Sequence, residues 1–115
     1  MDNYQIRVGE TIDTGKKLFD ADGEPRIVYR KRLALTVALP NNTNQDKAHG
    51  VTDIDLSMPV VVTQLTGITT AGTSRFAGGN VSFTVSATNI NIATTLNLST
   101  FTTGEIEFEF CREGK

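Results

Sequence analysis

Hydrophobic and polar residues alternate along much of this chain, which is the spacing of a β-strand with one buried face. The longest example runs from Ile27 to Leu39, where bulky side chains alternate with small ones in its second half. Another runs from Glu105 to Phe110, where acidic and apolar residues alternate. No segment has convincing helical periodicity, although residues 44–49 are compatible with one helical turn. The pattern therefore predicts an all-β protein.

Turn signals divide the chain into further strands. The pair Asp22-Gly23 predicts a hairpin between a short strand at residues 18–19 and the long strand that follows. Other strands are predicted at residues 4–8, 51–56, 60–65, 81–87, 90–93, 96–98 and 105–110. Loops or polar connections are predicted at residues 9–15, 41–47 and 67–80. Seven or eight short strands are typical of an antiparallel β-sandwich or a jelly-roll-like domain.

Length and charge narrow the class of protein. With 115 residues the chain predicts a single domain, residues 1–115, in which residues 1–14 form an N-terminal strand and loop available for attachment or contacts between subunits. A net charge of −2 argues against a nucleic-acid-binding surface. No apolar run reaches the ~20 residues of a transmembrane helix, and the N-terminus lacks the order of a signal peptide. We therefore expect synthesis in the cytoplasm and no insertion into a membrane.

Several short motifs carry a resemblance to a known family. They are Asp20…Asp22-Gly23…Pro25…Val28-Tyr29-Arg30-Lys31, Leu39-Pro40-Asn41, Ala48-His49-Gly50-Val51, Ala87-Thr88-Asn89-Ile90 and Ser99…Phe101-Thr102…Ile106-Glu107-Phe108. In this order they resemble a small β-domain of bacteriophage structural proteins, often found at the C-terminal end of tail-fibre, baseplate or head-fibre proteins. Two positions depart from the family pattern, since Phe19 stands where Trp is usual and Glu24 where Lys is usual.

The resemblance implies a component of the virion. We expect a whole protein rather than the tip of a longer fibre chain, with the shaft or attachment region in another chain. The first hypothesis is a trimeric fibre or spike tip that binds a host cell-surface receptor, a glycan, through its end loops. The alternative is a structural protein, for capsid decoration or completion of the tail or baseplate, that docks on another virion protein through an exposed apolar patch.

The predicted loop at residues 67–80 is the candidate for recognition, because binding residues are often carried by loops on a rigid scaffold. An aromatic ring and a charged donor side by side could hold a sugar. The candidate receptor-binding residues are Thr69, Thr70, Thr73, Arg75 and Phe76. The alternative is that Phe76 closes the end of the domain and Arg75 is solvated.

Two charged clusters are candidates for contacts between subunits. Strand geometry sends Arg30 and Arg32 to one side of their strand and Lys31 to the other. Glu105, Glu107 and Glu109 share one face of the last strand. Pairing of the arginines with the glutamates, across strands or across subunits, would satisfy both clusters.

Residues that could carry catalysis are few, and we expect no enzyme, no cofactor and no metal site. His49 is the only histidine and Cys111 the only cysteine, so they form the one conceivable nucleophile–base pair. We expect His49 to be structural, with its ring nitrogens bonded to nearby backbone. The alternative is a metal or anion site made by three copies of His49 on a three-fold axis. The aspartate pairs at residues 20 and 22 and at residues 53 and 55 are interpreted as turn-forming or solvated.

Overall fold

The computed structural model describes residues 6–69, 72–76 and 81–114, and for residues 73–76 the backbone alone. This part of the chain contains eight strands and no helix. The strands are β1 (Thr11–Phe19), β2 (Pro25–Leu35), β3 (Asn44–Ala48), β4 (Val61–Thr69), β5 (Gly72–Phe76), β6 (Val81–Val85), β7 (Asn89–Thr94) and β8 (Thr103–Phe110). The prediction of an all-β domain with seven or eight strands is confirmed.

The strands form two antiparallel sheets. The larger sheet has the order β1-β2-β8-β4-β5 and the smaller has the order β3-β7-β6. β8, the last strand in sequence, lies in the middle of the larger sheet and pairs with β2 on one side and β4 on the other. The central hydrogen bonds of the sheet therefore depend on the C-terminal strand.

The core lies between the two sheets. The inner face of β8 contributes Ile106, Phe108 and Phe110, and the facing strand β7 contributes Ile90 and Ile92, all with no exposed surface. The remaining buried members of this cluster are Leu33, Leu35, Leu39, Val51, Ile54, Leu65 and Leu98. The alternation seen in the sequence thus places one face of each sheet in a shared apolar layer, as in a β-sandwich.

The hairpin between β1 and β2 forms at the predicted Asp-Gly signal. Gly23 has φ +78°, a left-handed conformation that glycine adopts without a Cβ clash. Its N–H donates to the carbonyl of Asp20 at 3.0 Å. The Asp20 carboxylate accepts from the N–H groups of Asp22 and Glu24, at 2.9 and 3.0 Å. Asp20 is therefore a turn-forming residue, as expected.

The N-terminal assignments were wrong in the described part of the chain. Residues 6–8 form no strand, because the Glu10 N–H donates to the carbonyl of Arg7 and closes a turn. The predicted loop at residues 9–15 instead contains the first part of β1. Gly15, which suggested a loop, has φ +81° and lies where the register of β1 shifts against β2. The glycine marks a β-bulge inside a strand rather than the end of one. Tyr4, in the predicted first strand, lies outside the described residues.

Other boundaries also differ. The long strand ends at Leu35 and not at Leu39. The polar connection at residues 41–47, for which a helical turn was an option, forms most of β3. Residues 51–56 and 96–98 form no strands, and each contributes one isolated bridge, Ile54 with Arg112 and Asn97 with Asn41. The predicted loop at residues 67–80 contains the end of β4 and all of β5.

Candidate functional site

The outer face of the larger sheet, which points away from the core, carries most of the ordered charge. Tyr29 on β2 stacks on Phe110 at the inner face, with ring centroids 5.9 Å apart. Strand alternation then puts Arg30 and Arg32 on the outer face and Lys31 on the inner one. The predicted separation of these three cations is confirmed.

Two arginines of β2 form ion pairs with two glutamates of β8 across the strands. Arg30 donates to Glu109 Oε2 from Nε at 3.1 Å and from Nη2 at 2.5 Å. Arg32 donates to Glu105 Oε1 from Nε at 3.1 Å and also from Nη2. A third nitrogen, Arg32 Nη1, donates to the carbonyl of Ile6 at 2.8 Å. In each pair two guanidinium nitrogens donate to one carboxylate oxygen, and charge-assisted bonds of this kind are the stronger ones.

Glu109 joins a third cation to this ladder. Lys16 Nζ donates to Glu109 Oε1 at 2.7 Å. Burial of the Glu109 carboxyl raises its pKa, but the hydrogen bonds from Lys16 and Arg30 outweigh this and hold the pKa below its usual range. Glu109 is therefore the ionised centre of a three-residue network that joins β1, β2 and β8. We call Lys16, Arg30, Arg32, Glu105 and Glu109 the charged ladder.

The charged ladder bears directly on the predicted contacts between subunits. The structure brings Arg30, Arg32, Glu105 and Glu109 together within one chain, across neighbouring strands. Glu107 lies on the same face, but no described residue makes an ion pair with it. These charges need no second subunit to be paired, so their role at a subunit interface stays a prediction.

A second buried ion pair fixes the segment between β3 and β4. Arg26 Nη2 donates to Asp55 Oδ2 at 2.8 Å and to the carbonyl of Arg112. Asp55 Oδ1 accepts from the hydroxyl and N–H of Ser57, at 2.5 and 2.9 Å. The bonds from Ser57 and from Arg26 lower the pKa of Asp55 to about 2. Asp55 and Arg26 thereby tie the segment between β3 and β4 to β2 and to the residue that follows β8 by two positions.

Next to the charged ladder lies an apolar groove, lined by Leu18, Val28, Pro59 and Val61. Its volume is about 500 Å³, and Lys16, Lys17 and Glu109 complete its wall. Val61 is 52% exposed, although it is an apolar residue at the start of a strand. The floor of the groove is well packed, because Val28 belongs to a small buried cluster with Met58 and Cys111.

A second depression adjoins the groove, and we call it the cleft. It has a volume of about 420 Å³. Its lining residues are Leu56, Met58, Val60, Val61, Val62, Phe83 and Val85. Val61 belongs to both depressions, so groove and cleft meet there. The groove lies on the outer face of the larger sheet, and the cleft lies between that sheet and β6.

The conceivable Cys111–His49 pair is not assembled. Cys111 clusters with Val28 on the outer side of the sheet, whereas the His49 ring packs near Phe108 on the inner side. Burial raises the pKa of the Cys111 thiol, which disfavours the reactive thiolate.

His49 is buried and its two ring nitrogens contact backbone, as expected. Nδ1 accepts from the Val51 N–H at 3.1 Å, which leaves Nε2 to donate to the carbonyl of Ser86 at 2.9 Å. Both nitrogens are therefore occupied, and neither is free to bind a metal. His49 ties the loop after β3 to the turn between β6 and β7.

The candidate receptor-binding residues do not form an end loop. Thr69 ends β4, and its hydroxyl bonds with the N–H and carbonyl of Gly72, at 3.1 and 3.2 Å. Thr73, Arg75 and Phe76 belong to the backbone of β5, opposite Ile68, Thr66 and Leu65 of β4. Thr70 lies outside the described residues. The expectation of a loop was wrong for residues 67–69 and 72–76, because the Thr- and Gly-rich sequence extends a hairpin at the edge of the sheet.

The groove and cleft were missed by sequence reasoning. The sequence signal for these depressions was the run from Met58 to Val62, in which five apolar residues follow one another without a polar residue. Such a run predicts a strand covered on both faces. Val61 departs from that rule, because the cover that Met58 and Pro59 give the outer face leaves Val61 52% exposed.

Comparisons with known proteins add no relative. No family model, no curated protein and no solved structure matches this chain. In the described part of the chain, no helix could cross a membrane and no three metal-binding side chains cluster.

Proposed function

We propose that this chain is a structural protein of a bacteriophage virion that docks on another virion protein through the apolar groove and cleft. The observation that carries the docking is that these two depressions meet at the exposed Val61. Extended apolar surface with a polar rim is typical of protein contact sites. The assignment to a virion rests on the sequence resemblance alone.

The groove is ordered by contacts within the chain, and this favours docking. The Arg26–Asp55 ion pair and the Ser57 hydrogen bonds position the segment that supplies Met58 and Pro59. A surface that is already ordered before binding loses less conformational entropy when a partner arrives. Lys16 and Glu109 at the wall of the groove would orient the partner, since charges at a rim favour one register over others.

Site-specific cross-linking tests this proposal in assembled particles. A photoreactive phenylalanine analogue is placed at position 61, and at position 37 as a control. Val37 is also exposed, at 59%, but follows the far end of β2. We expect a cross-link to another virion protein from position 61 and none from position 37. Equal yields from both positions, or none at 61 in particles that contain the protein, would contradict docking through the groove.

A charge substitution gives a second readout. Val61→Asp should fold normally, because position 61 is half exposed, but should be lost from purified particles. Val37→Asp, its control, should be incorporated like the wild type. Normal incorporation of a folded Val61→Asp protein would argue against the proposal.

We also propose a second function, receptor binding by the β4–β5 hairpin of a homotrimer. The observation that favours it is that β5 is an edge strand which pairs with β4 alone among the described strands. One free edge leaves backbone donors and acceptors open to a ligand. Three weak sites on one trimer would bind a cell-surface glycan by avidity.

Two measurements test the second function. Light scattering at low and high micromolar concentration should give a trimer mass that does not change with concentration, and a monomer would count against it. Binding of the protein to host cells should fall when Arg75 and Phe76 are both replaced by Ala. Lys47→Ala, on the edge strand of the other sheet, is the control and should bind like the wild type.

A further inference from the structure

Lys31 and Arg112 differ from the paired cations of the outer face. Lys16, Arg26 and Arg30 each donate to a carboxylate at 2.8 Å or less. In contrast, neither the Lys31 ammonium nor the Arg112 guanidinium hydrogen-bonds to any described residue. A partly buried cation without a hydrogen-bond acceptor is uncommon, because its lost hydration is not replaced.

The guanidinium of Arg112 is held against two aromatic rings, but its N–H groups make no hydrogen bond to a described residue. Its central carbon lies 4.9 Å from the ring centroid of Tyr29 and 5.9 Å from that of Phe110. Nη1 forms a part-exposed ion pair with Asp53 Oδ1 at 3.6 Å, which is too long for a hydrogen bond. Nε is buried and has no partner in the described part of the chain. Stacking on the rings holds the charge without satisfying its N–H groups.

Lys31 lies on the same inner face of β2 as Tyr29 and is partly buried. Burial lowers the pKa of its ammonium group, and the nearby charge of Arg112 lowers it further. The two cations are therefore close enough to repel each other. A group that is both desolvated and repelled gains more from an anion than a solvated surface lysine does.

Gly50 gives the Lys31 ammonium its position. A Cβ on residue 50 would lie 2.9 Å from Lys31 Nζ, and the residue has φ +70°, where side chains are disfavoured. A surface depression of about 400 Å³ lies at Gly50, lined also by His49, Val51 and Thr52. Neither Lys31 nor Arg112 lines this depression, and the missing Cβ of Gly50 leaves room for the Lys31 ammonium itself.

We propose that Lys31, Arg112 and Gly50 form a binding site for a small oxyanion, a carboxylate or a phosphate group. The planar guanidinium offers paired N–H donors that match two oxygens of such a group, and the ammonium offers a compact second charge. An oxyanion between the two cations would remove their repulsion and use their free donors. This site is independent of the apolar groove and of the β4–β5 hairpin.

Melting of the intact protein in different anions tests the site. Sodium phosphate and sodium acetate are titrated against sodium chloride at constant ionic strength. We expect a saturable rise in melting temperature of about 5 °C at ten times the dissociation constant, since a ligand that binds only the folded state stabilises it. A rise with phosphate alone assigns a phosphate-bearing ligand, and a rise with acetate as well assigns a carboxylate-bearing one. Equal melting curves in all three salts would overturn the proposal.

Substitutions connect the effect to the site. Lys31→Met should melt at a higher temperature than the wild type in chloride, because it removes a partly buried charge that has no partner, and should no longer respond to phosphate. Lys47→Met removes a lysine from the exposed strand β3 and should keep the full response. If Lys31→Met is poorly folded, Arg112→Gln serves in its place. A phosphate response that survives in the folded Lys31 or Arg112 variant would overturn the assignment.

The Arg112 Nε–H provides a direct probe. In a proton–nitrogen spectrum, phosphate should shift the Arg112 Nε resonance and the Gly50 amide with one common dissociation constant. The Gly114 amide, close to Arg112 in sequence, should stay unchanged. Shifts that rise linearly without saturation, or that are equal at Gly114, would show ionic-strength effects only and would overturn the proposal.

Discussion

The two faces of β8 arise from one alternating sequence pattern, but one face is buried by apolar contacts and the other is paired by charges. On the inner face, Ile106, Phe108 and Phe110 are fully buried by the second sheet. On the outer face, Glu105 and Glu109 are paired by arginines of the neighbouring strand. Folding of a single chain therefore satisfies the inner face and pairs two of the three glutamates on the outer face. It follows that Glu105 and Glu109 are no evidence for a missing partner.

The part of the outer face around Val61 differs, because its apolar side chains are exposed. Around Val61 the surface is apolar, and no described residue covers it. The charged ladder and the apolar groove share Lys16 and Glu109. A surface whose charges are paired within the chain therefore lies directly beside an apolar surface that is exposed. This difference separates residues that hold the fold together from residues that are available for docking.

The largest expected effect comes from the inner face. Phe108→Ala removes a fully buried ring that lies 5.2 Å from the Phe110 ring. We expect a loss of about 3–5 kcal/mol in the free energy of unfolding, from lost burial and the cavity left behind. Urea denaturation measures it. Phe19→Ala is the control, because Phe19 is 71% exposed, and a change within about 0.5 kcal/mol is expected there. Equal losses at both positions would contradict the assignment of the core.

The next effect comes from the ion pair under the groove and depends on pH. Asp55→Asn keeps the shape of the side chain but removes the charge that faces the buried Arg26. The pKa of Asp55 is about 2 in the fold, against an ordinary value of 3.8. A lowered pKa means that the carboxylate stabilises the fold above its ordinary pKa, and that this contribution is lost as the pH falls toward 2.

Melting temperatures from pH 7 to pH 2 measure this dependence. The wild type should be more stable than Asp55→Asn by a constant amount from pH 7 to about pH 5. The difference should then shrink and vanish near the acid end of the series. Asp22→Asn is the control, because Asp22 lies in the exposed turn of the first hairpin. A difference that does not change with pH would mean that the charge of Asp55 is not what matters.

A smaller loss is expected at Gly104, on the inner side of β8. A Cβ at this position would lie against the backbone carbonyl of Thr66, closer than real Cβ atoms come. Gly104→Ala must therefore push β4 and β8 apart, and we expect a loss of about 1–3 kcal/mol, as for other overpacked positions. Urea denaturation measures the loss. A neutral result would mean that the two strands can separate there at no cost.

Gly104 also shows where sequence reasoning ends. The strand β8 and the Asp-Gly hairpin could be predicted because each rests on a local pattern, period-2 alternation in one and a turn dipeptide in the other. Nothing local marks Gly104 as a close approach between strands, since the atom that excludes a side chain belongs to Thr66. The mispredicted strand β3 fails for a related reason. It is short and polar, and it is ordered by pairing with the buried strand β7.

The candidate site was predictable only in part. Arg30, Arg32, Glu105 and Glu109 could be matched because their charges are opposite and their strands alternate. The apolar groove could not be predicted, because Leu18, Val28 and Pro59 come from three separate segments. The segment that carries Pro59 is positioned by a salt bridge between Arg26 and Asp55. These two residues are also distant in sequence.

The smallest effect is expected on the outer face of β8, where two glutamates on one strand offer a matched pair. Glu109→Ala leaves Lys16 and Arg30 without their carboxylate, and we expect a loss of about 1–2 kcal/mol, limited by the solvent exposure of Lys16. Glu107→Ala removes a carboxylate that no described residue pairs with, so a change within about 0.5 kcal/mol is expected. Urea denaturation at low and high salt measures both.

Salt separates the charge effect from a loss of packing. Because Lys16 and Arg30 are partly exposed, high salt should screen their attraction to Glu109 and reduce the difference between Glu109→Ala and the wild type. Glu107→Ala should behave alike in both conditions. Equal losses for the two variants, independent of salt, would mean that the charged ladder adds no stability within one chain. The arginines and glutamates would then again be candidates for a contact between subunits.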